Sequence, residues 1–400
     1  TAPSCSPSRA ALFTGRYPHN NGVMGLCHAY FAWDLHPEER HLAQILADAG
    51  YATAAVGVIH ETRSGPGRCG YQSYDPASRA REATDAAIAR LRSLAGERER
   101  PFLLYAGFVE PHRLPRPDSD PPGEHGFTTP YIATDDALGV QVPGYLRDTP
   151  GTRAELAELQ GAVRHMDEQF GRLMTALDEL GQAENTLVVF TTDHGIAMPR
   201  AKCSLYDPGT RVALLLRLPA RPGWHGGIVR DELVSNIDCL PTLLDLLALP
   251  VPVNMQGHSF APLLDGQPYA PREAVFTEMT YHDYYDPRRA IRTGTHKLIV
   301  NFSSARFFMD PSQSWRPRSD VVSPPNHAVS YHNHVELYDL AADPWELHDL
   351  ADDPQYAAVR ADLLARLHRH LVETGDPILQ GAVTSPHHRT AQALLEAAHQ

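Results

Sequence analysis

The first residues of the chain place a cysteine one helical turn before an arginine. Pro7 fits the first turn of a helix, because its missing N–H would be unpaired there. Cys5 then lies at the helix N-terminus with Arg9 nearby, and both features favour negative charge on the sulfur. The segment predicts an anion or nucleophile site, although a buried structural cysteine is the commoner role of a lone Cys.

Polar residues also follow three apolar, strand-like runs. A carboxylate at a strand end with an adjacent ligand suits a hard divalent cation, although Asp-His-Gly alone is more often a turn. A histidine at such a position is a candidate acid or base, but most of the 22 histidines are expected to be structural. The runs and the residues after them are Tyr51–Gly57 with His60, Pro101–Phe108 with His112, and Thr186–Thr192 with Asp193 and His194.

Lysine is almost absent, and Lys202 and Lys297 are the only two. Lys202 follows Asp193 by nine residues. Its compact ammonium could serve as a point charge against an anion. The alternative is an exposed solubilising lysine, but this chain uses arginine for that purpose.

Strand-like and helix-like segments alternate through the first two thirds of the chain. Uniformly apolar strands between helices predict an α/β architecture whose sheet is buried on both faces, with functional groups at the carboxyl ends of strands. A fourth strand is expected at Val212–Leu218, and helices are expected at His41–Ala49, Ala77–Ala95, Thr152–Leu180 and Asn236–Leu247.

The pattern changes near residue 283. Short strands at Ala290–Thr293 and Lys297–Phe302 precede a helix-like segment at Asp353–Thr374. We therefore expect a catalytic domain over residues 1–283 and a smaller C-terminal α+β subdomain over residues 284–400.

Composition excludes several classes of protein. The net charge of −13 argues against a nucleic-acid or anionic-membrane binder. No window approaches the roughly 18 apolar residues of a membrane span. Five cysteines without a Cys-x-x-Cys pair do not suggest a disulfide framework or a zinc site.

The cysteine segment resembles the signature of type I sulfatases. The matching residues are Cys5-Ser6-Pro7-Ser8-Arg9 followed by Leu12-Phe13-Thr14-Gly15. The flanking residues 19–26, 110–113, 205–210 and 336–340 are similar to the heparan N-sulfatase (sulfamidase) branch of that family. The resemblance implies an alkaline-phosphatase-like sulfatase fold, with a large mixed sheet flanked by helices.

The resemblance also implies a chemistry for the site. A formylglycine-generating enzyme would oxidise Cys5 to formylglycine, whose hydrated aldehyde is the family's nucleophile, and Arg9 would support it. Calcium, or else magnesium or manganese, would be held by residue 5, Asp193 and His194. By resemblance, Lys202 and His112 bind sulfate, His112 protonates the leaving group, and His60 acts on the formylglycine hydroxyl.

Two departures from the family pattern stand out. Val58 occupies the place of a lysine that contacts nucleophile and sulfate, and Arg63 or Arg68 is a candidate replacement. The family also carries a metal-binding aspartate pair on a first strand upstream of the cysteine motif, and this chain is expected to start after that strand. The fragment could therefore be inactive.

The resemblance therefore implies a sulfuric ester or sulfamate hydrolase that acts on a sulfated saccharide, N-sulfoglucosamine-like in the sense of the branch it resembles. A formylglycine-dependent phosphonate monoester or phosphodiester hydrolase and a non-catalytic saccharide-binding relative remain alternatives. The compartment (periplasmic, secreted or cytoplasmic in a bacterium) and the oligomeric state stay open. Outside the motif, His282, His332 and His334 are expected to be polar loop residues, the last two with a possible place at a substrate pocket.

Overall fold

The computed structural model describes residues 1–97, 100–115, 125–224, 226–304, 322 and 331–398. The sequence also predicts loops at Asp118–Gly126 and Ser312–Pro325, and most of both segments lies outside the described residues. None of the helices in the described ranges has the length and apolar character needed to cross a bilayer.

The N-terminal motif forms a helix, as predicted. Helix α1 spans Cys5–Thr14 and ends at Gly15, whose φ of 67° is left-handed and whose N–H bonds to the carbonyl of Ala11. Two short helices follow, α2 (Pro18–Asn21) and α3 (Leu42–Asp48).

A parallel three-stranded sheet forms the centre of the N-terminal part. It contains β1 (Ala52–Gly57), β2 (Ser73–Asp75) and β3 (Phe102–Gly107) in the order β2-β1-β3. Every residue of β1 is buried, which explains the run of small apolar residues. Helix α4 (Ala80–Gly96) connects β2 to β3 and packs against the sheet through side chains that include Ala83, Ala87, Leu91 and Leu94.

The middle of the chain contains, in the part that the structure describes, two short antiparallel strand pairs, one long helix and three short α-helices. A short ladder joins β4 (Leu114–Pro115) to β5 (His125–Gly126). Helix α5 (Pro150–Glu179) begins at Thr149, whose hydroxyl accepts the Thr152 N–H, and packs on α4. Strand β6 (Val188–Thr191) pairs with β7 (Leu214–Arg217). The helices of this region are α6 (Asp207–Thr210), α7 (Cys239–Leu246) and α8 (Ala261–Leu264).

An antiparallel sheet forms the C-terminal part. Its order is β11-β10-β9-β8, with β8 at Ala274–Tyr281, β9 at Tyr285–Thr293, β10 at His296–Asn301 and β11 at Val335–Asp339. Helix Ala357–Thr374 covers one face with Leu363, Leu367 and Leu371, which are spaced by four residues and share a core with Ile291, Leu298 and Leu337. The last described helix, Pro386–Ala397, buries no residue.

The two parts share their interior. The N–H of Glu278 in β8 bonds to the carbonyl of Thr1 at 2.8 Å, and Met24 and Trp33 belong to the C-terminal core. The predicted boundary after residue 283 falls between the paired strands β8 and β9. This pairing favours a boundary before Ala274, and we propose that position instead.

Candidate functional site

Helix α1 meets the carboxyl end of β6 through three contacts. Cys5 Sγ lies 3.2 Å from His194 Nε2, and the Ser8 hydroxyl donates to the carbonyl of Asp193. Arg9 Nε donates to Asp193 Oδ2 at 2.8 Å. The predicted nucleophile and the predicted ligand pair are therefore brought together over a separation of more than 180 residues.

This junction favours negative charge on the cysteine. Burial opposes ionisation of Cys5, but the positive charges of Lys202 and His194 outweigh it, so the thiol pKa lies well below its ordinary value. Burial likewise opposes the charge on Asp193, yet His194 and Arg9 hold the pKa of this carboxyl far below its usual range. His194 donates from Nδ1 to the carbonyl of Gly195 at 2.7 Å, which directs Nε2 at the sulfur.

His112 and Lys202 form a second pair. Nδ1 of His112 lies 2.7 Å from the carbonyl of Arg113, an acceptor, so Nδ1 carries a proton. Nε2 then accepts a hydrogen bond from Lys202 Nζ at 2.9 Å. Burial, followed by the charge of Lys202, lowers the pKa of His112. In this state the positive charge of the pair is on Lys202, and His112 is neutral.

His60 is held by a buried carboxylate. Its backbone N–H donates to Glu61 Oε2 at 2.8 Å, and Glu61 Oε1 faces His41 Nε2 at 3.5 Å. Both Glu61 and His41 are fully buried. His41 Nδ1 in turn accepts the N–H of Ala43 at the start of α3. The loop that presents His60 is therefore fixed to α3.

Cys69 completes a group of metal-ligand type with His41 and Glu61. The tautomer of His41 argues against a metal there. Because Nδ1 accepts a hydrogen bond, a neutral ring carries its proton on Nε2, the atom that a metal would need unprotonated. The group instead positions the His60 loop.

Val58 takes part through its backbone. Its carbonyl accepts hydrogen bonds from the Tyr105 hydroxyl at 2.7 Å and from Arg9 Nη1 at 3.3 Å. The two candidate replacements for the family's lysine do not contribute to the site. Arg68 donates to the carbonyl of His36 at 2.7 Å, and neither Arg63 nor Arg68 lies among the described residues that line the site.

The predicted site residues all line one cavity of about 1600 Å³. It extends behind the site between β3 and β6, where its lining is apolar. Two histidines that sequence reasoning passed over also line it. His28 is exposed, and its ring centroid lies 4.7 Å from that of His60. His282, expected to be a polar loop residue, is only 3% exposed, and neither ring nitrogen has a hydrogen-bond partner among the described residues.

The predicted pocket role of the other two histidines is not supported. His332 is buried against Glu336, with Nδ1 2.9 Å from Oε1, and neither His332 nor His334 lines the cavity. No local signal separates His28 and His282 from the other histidines, because their place depends on the packing of the residue 24–33 loop against β8.

The residues that could hold a divalent metal are Cys5, Asp193 and His194. Their ligand atoms lie within 4.8 Å of one another, and the Cys5 sulfur marks where the oxygens of a formylglycine side chain would lie. The carboxylate and the residue 5 oxygens suit a hard cation. They supply only part of the six to eight oxygens that calcium takes.

Comparison with known proteins agrees with this geometry. A family model described as sulfatase matches residues 1–249, and one described as N-sulphoglucosamine sulphohydrolase, C-terminal, matches residues 199–312. Human N-sulphoglucosamine sulphohydrolase is 31% identical over 418 aligned residues, which cover 94% of this chain and 82% of that protein.

Solved structures agree on the fold. A 2-O GAG sulfatase has a TM-score of 0.69 at 22% identity, with 95% of this chain and 84% of that chain covered. A phosphonate monoester hydrolase from Silicibacter pomeroyi has a TM-score of 0.61 at 20% identity, with 94% and 87% covered. The predicted alkaline-phosphatase-like sulfatase fold is confirmed.

Replacing Lys202 is expected to raise the pKa of His112. Burial would still lower it, but the repulsion from the ammonium would be lost in Lys202→Met, whereas Lys202→Arg would keep a positive charge. NMR titration of the His112 ring resonance, identified by its loss in His112→Gln, measures this shift. An unchanged pKa in Lys202→Met would contradict the assigned pairing.

Glu61→Ala is expected to lower the free energy of unfolding by about 1–3 kcal/mol, because the His60 N–H loses a buried acceptor and His41 loses its neighbouring carboxylate. Glu61→Gln keeps an oxygen for the His60 N–H and should lose less. The midpoint of urea unfolding measures both, and Glu38→Ala provides an exposed control. Equal midpoints for Glu61→Ala and Glu38→Ala would show that the buried contacts contribute nothing.

Proposed function

The chain belongs to the sulfatase family and is a sulfatase, and we propose that it removes the N-sulfate group of a glucosamine-like residue in a sulfated saccharide. The observation that carries this proposal is the convergence of Cys5 and His194 with the Lys202–His112 pair in one cavity. The substrate follows from the 31% identity to human N-sulphoglucosamine sulphohydrolase and from the match to the C-terminal model of that name.

The residues around Cys5 suit the formation and use of a nucleophile. When oxidised to formylglycine, residue 5 supplies a hydrated aldehyde, one hydroxyl of which attacks sulfur while the other later expels sulfate. Arg9 orients this side chain by fixing Asp193 and the carbonyl of Val58. His60, whose backbone N–H is held by Glu61, would accept the hydroxyl proton.

Lys202 and His112 act on the sulfuryl group and the leaving nitrogen. Lys202 neutralises sulfuryl oxygens as charge develops on them. The negative charge of a bound sulfamate offsets the repulsion from Lys202, so His112 can take up a proton on Nε2. When the S–N bond breaks, this proton passes to the nitrogen, which leaves as an amine, and His112 returns to its neutral state.

We further propose calcium as the metal and a formylglycine-generating enzyme as the maturation partner. Residue 5, Asp193 and His194 would hold the ion, which would lower the pKa of the hydrated aldehyde and orient it. Asp193 is ionised, as a metal ligand must be, because His194 and Arg9 keep the pKa of its carboxyl low.

Two alternatives keep specific support. The phosphonate monoester hydrolase shares the fold, which favours testing phosphonates. Val58, which lacks the charge of the family's lysine, favours a non-catalytic saccharide-binding protein. The identity to the human sulphohydrolase and the complete set of Cys5, His112 and Lys202 make both less well supported than sulfamate hydrolysis.

Substrate comparison tests the proposed function. The protein, co-expressed with a formylglycine-generating enzyme and supplied with calcium, is expected to hydrolyse N-sulfoglucosamine faster than an O-sulfated analogue, an aryl sulfate or a phenyl phosphonate. The measurement is kcat/KM for each, with Cys5→Ala as the inactive control. If the phenyl phosphonate were hydrolysed fastest, the proposed substrate class would be wrong and the phosphonate hydrolase alternative would hold. Saccharide binding without turnover would support the non-catalytic alternative.

Mass spectrometry of the same protein tests the nucleophile. The peptide that contains Cys5 is expected to carry formylglycine, because the motif is complete and the side chain begins a helix. The peptides that contain Cys27, Cys69, Cys203 and Cys239 should keep their thiols and serve as internal controls. An unmodified Cys5 in an active preparation would refute the formylglycine mechanism.

A further inference from the structure

The turn at residues 26–32 brings an aromatic ring to the mouth of the catalytic cavity. Tyr30 is 92% exposed, yet it lines the same cavity as Cys5 and Lys202. An exposed tyrosine at a cavity mouth offers a flat apolar face with a polar tip, a surface suited to a ligand that is partly apolar and partly polar.

The turn is anchored on both sides. Leu26 and Trp33 are buried, the Ala29 N–H bonds to the carbonyl of Leu26, and the Ala32 N–H bonds to the carbonyl of Ala29. Gly25 packs so tightly on Trp33 and Tyr281 that a Cβ there would lie 2.6 Å from the indole. Tyr30 is therefore presented from a fixed base rather than from a loose loop.

His28, two residues before Tyr30, adds a polar group next to His60. It is exposed, lines the cavity, and contacts His60. Partial burial and the neighbouring His60 lower the pKa of His28, so the ring is neutral near pH 7. A neutral imidazole offers one donor and one acceptor, the pair that a sugar hydroxyl can match.

The charge of the protein makes an uncharged contact valuable. At a net charge of −13, the protein repels an anionic saccharide at long range, and the attraction comes from the cations next to Cys5. Stacking of a pyranose ring on Tyr30 and hydrogen bonding to His28 add affinity without adding charge.

We propose that Tyr30 and His28 form a saccharide subsite, in which His28 binds a hydroxyl of the sulfated sugar and Tyr30 stacks on the next sugar of the chain. The assignment rests on the proposed function, since it takes the substrate to be a saccharide. It adds a preference for a substrate of at least two sugars.

Steady-state kinetics with three substrates test the subsite: N-sulfoglucosamine, a disaccharide with that residue at its non-reducing end, and an aryl sulfate. Tyr30→Ala is expected to raise KM for the disaccharide about threefold to tenfold, the range of an aromatic contact. The same substitution should leave KM for the monosaccharide and for the aryl sulfate unchanged. His28→Ala is expected to raise KM for both saccharides by a similar factor.

Two variants serve as matched controls. Tyr30→Phe should behave like the wild type, because stacking does not need the hydroxyl. Tyr131→Ala removes a tyrosine that is 57% exposed and does not line the cavity, and it should change nothing. An unchanged disaccharide KM in Tyr30→Ala, or an equal rise for the aryl sulfate, would overturn the subsite.

Calorimetric binding of the disaccharide to Cys5→Ser separates this proposal from the proposed function. If the wild-type protein turns over no sulfated saccharide, the proposed function fails, and the subsite is then judged by binding alone. A Kd that is threefold to tenfold higher in the Tyr30→Ala variant would still support the subsite. A Kd that does not change, or a lack of binding, would overturn it.

Discussion

The ion pair between Arg9 and Asp193 is the interaction on which the rest of the site depends. The same guanidinium donates to the Tyr105 hydroxyl at 2.6 Å and to the carbonyl of Val58. One side chain of α1 thereby ties together residues from the ends of β1 and β6 and from within β3. A planar guanidinium with several fixed donors can make these contacts at once, whereas an ammonium could not hold the same geometry. The position of Cys5 follows from this anchoring.

The field around Cys5 is arranged for one more negative charge. Lys202 lies buried and donates to a neutral His112, and its positive charge acts on Cys5. In the unmodified chain a Cys5 thiolate would supply that negative charge, because the positive charges of Lys202 and His194 outweigh burial and lower the thiol pKa. Oxidation of the thiol to an aldehyde would remove that anion. The same cations would then favour the sulfate group of a substrate, although the protein as a whole is acidic.

Sequence reasoning predicted the side chains that the structure brings together in one cavity, but not the groups that hold them. Cys5, His112 and Lys202 could be predicted because a motif, a strand end and a rare lysine are each visible locally in the sequence. The buried strands behind them could be predicted because they are apolar runs. Glu61 and His41 are 20 residues apart in the sequence, and their contact depends on burial and on the tautomer of His41. The start of the C-terminal sheet depends likewise on β8 pairing with β9. Such features require three-dimensional packing, which no local pattern encodes.

Under the proposed function, Val58 removes one stabilising charge and leaves the other contacts of the site in place. The backbone of Val58 still anchors Arg9, so the nucleophile side keeps its geometry. Lys202 and His112, the pair proposed to act on the leaving group, are in contact. Arg68 is committed to backbone carbonyls elsewhere, so it does not supply the missing cation. Removal of one preorganised donor typically costs roughly 10²–10³ in rate, so the proposed function implies an enzyme that is slower but still far faster than the uncatalysed reaction.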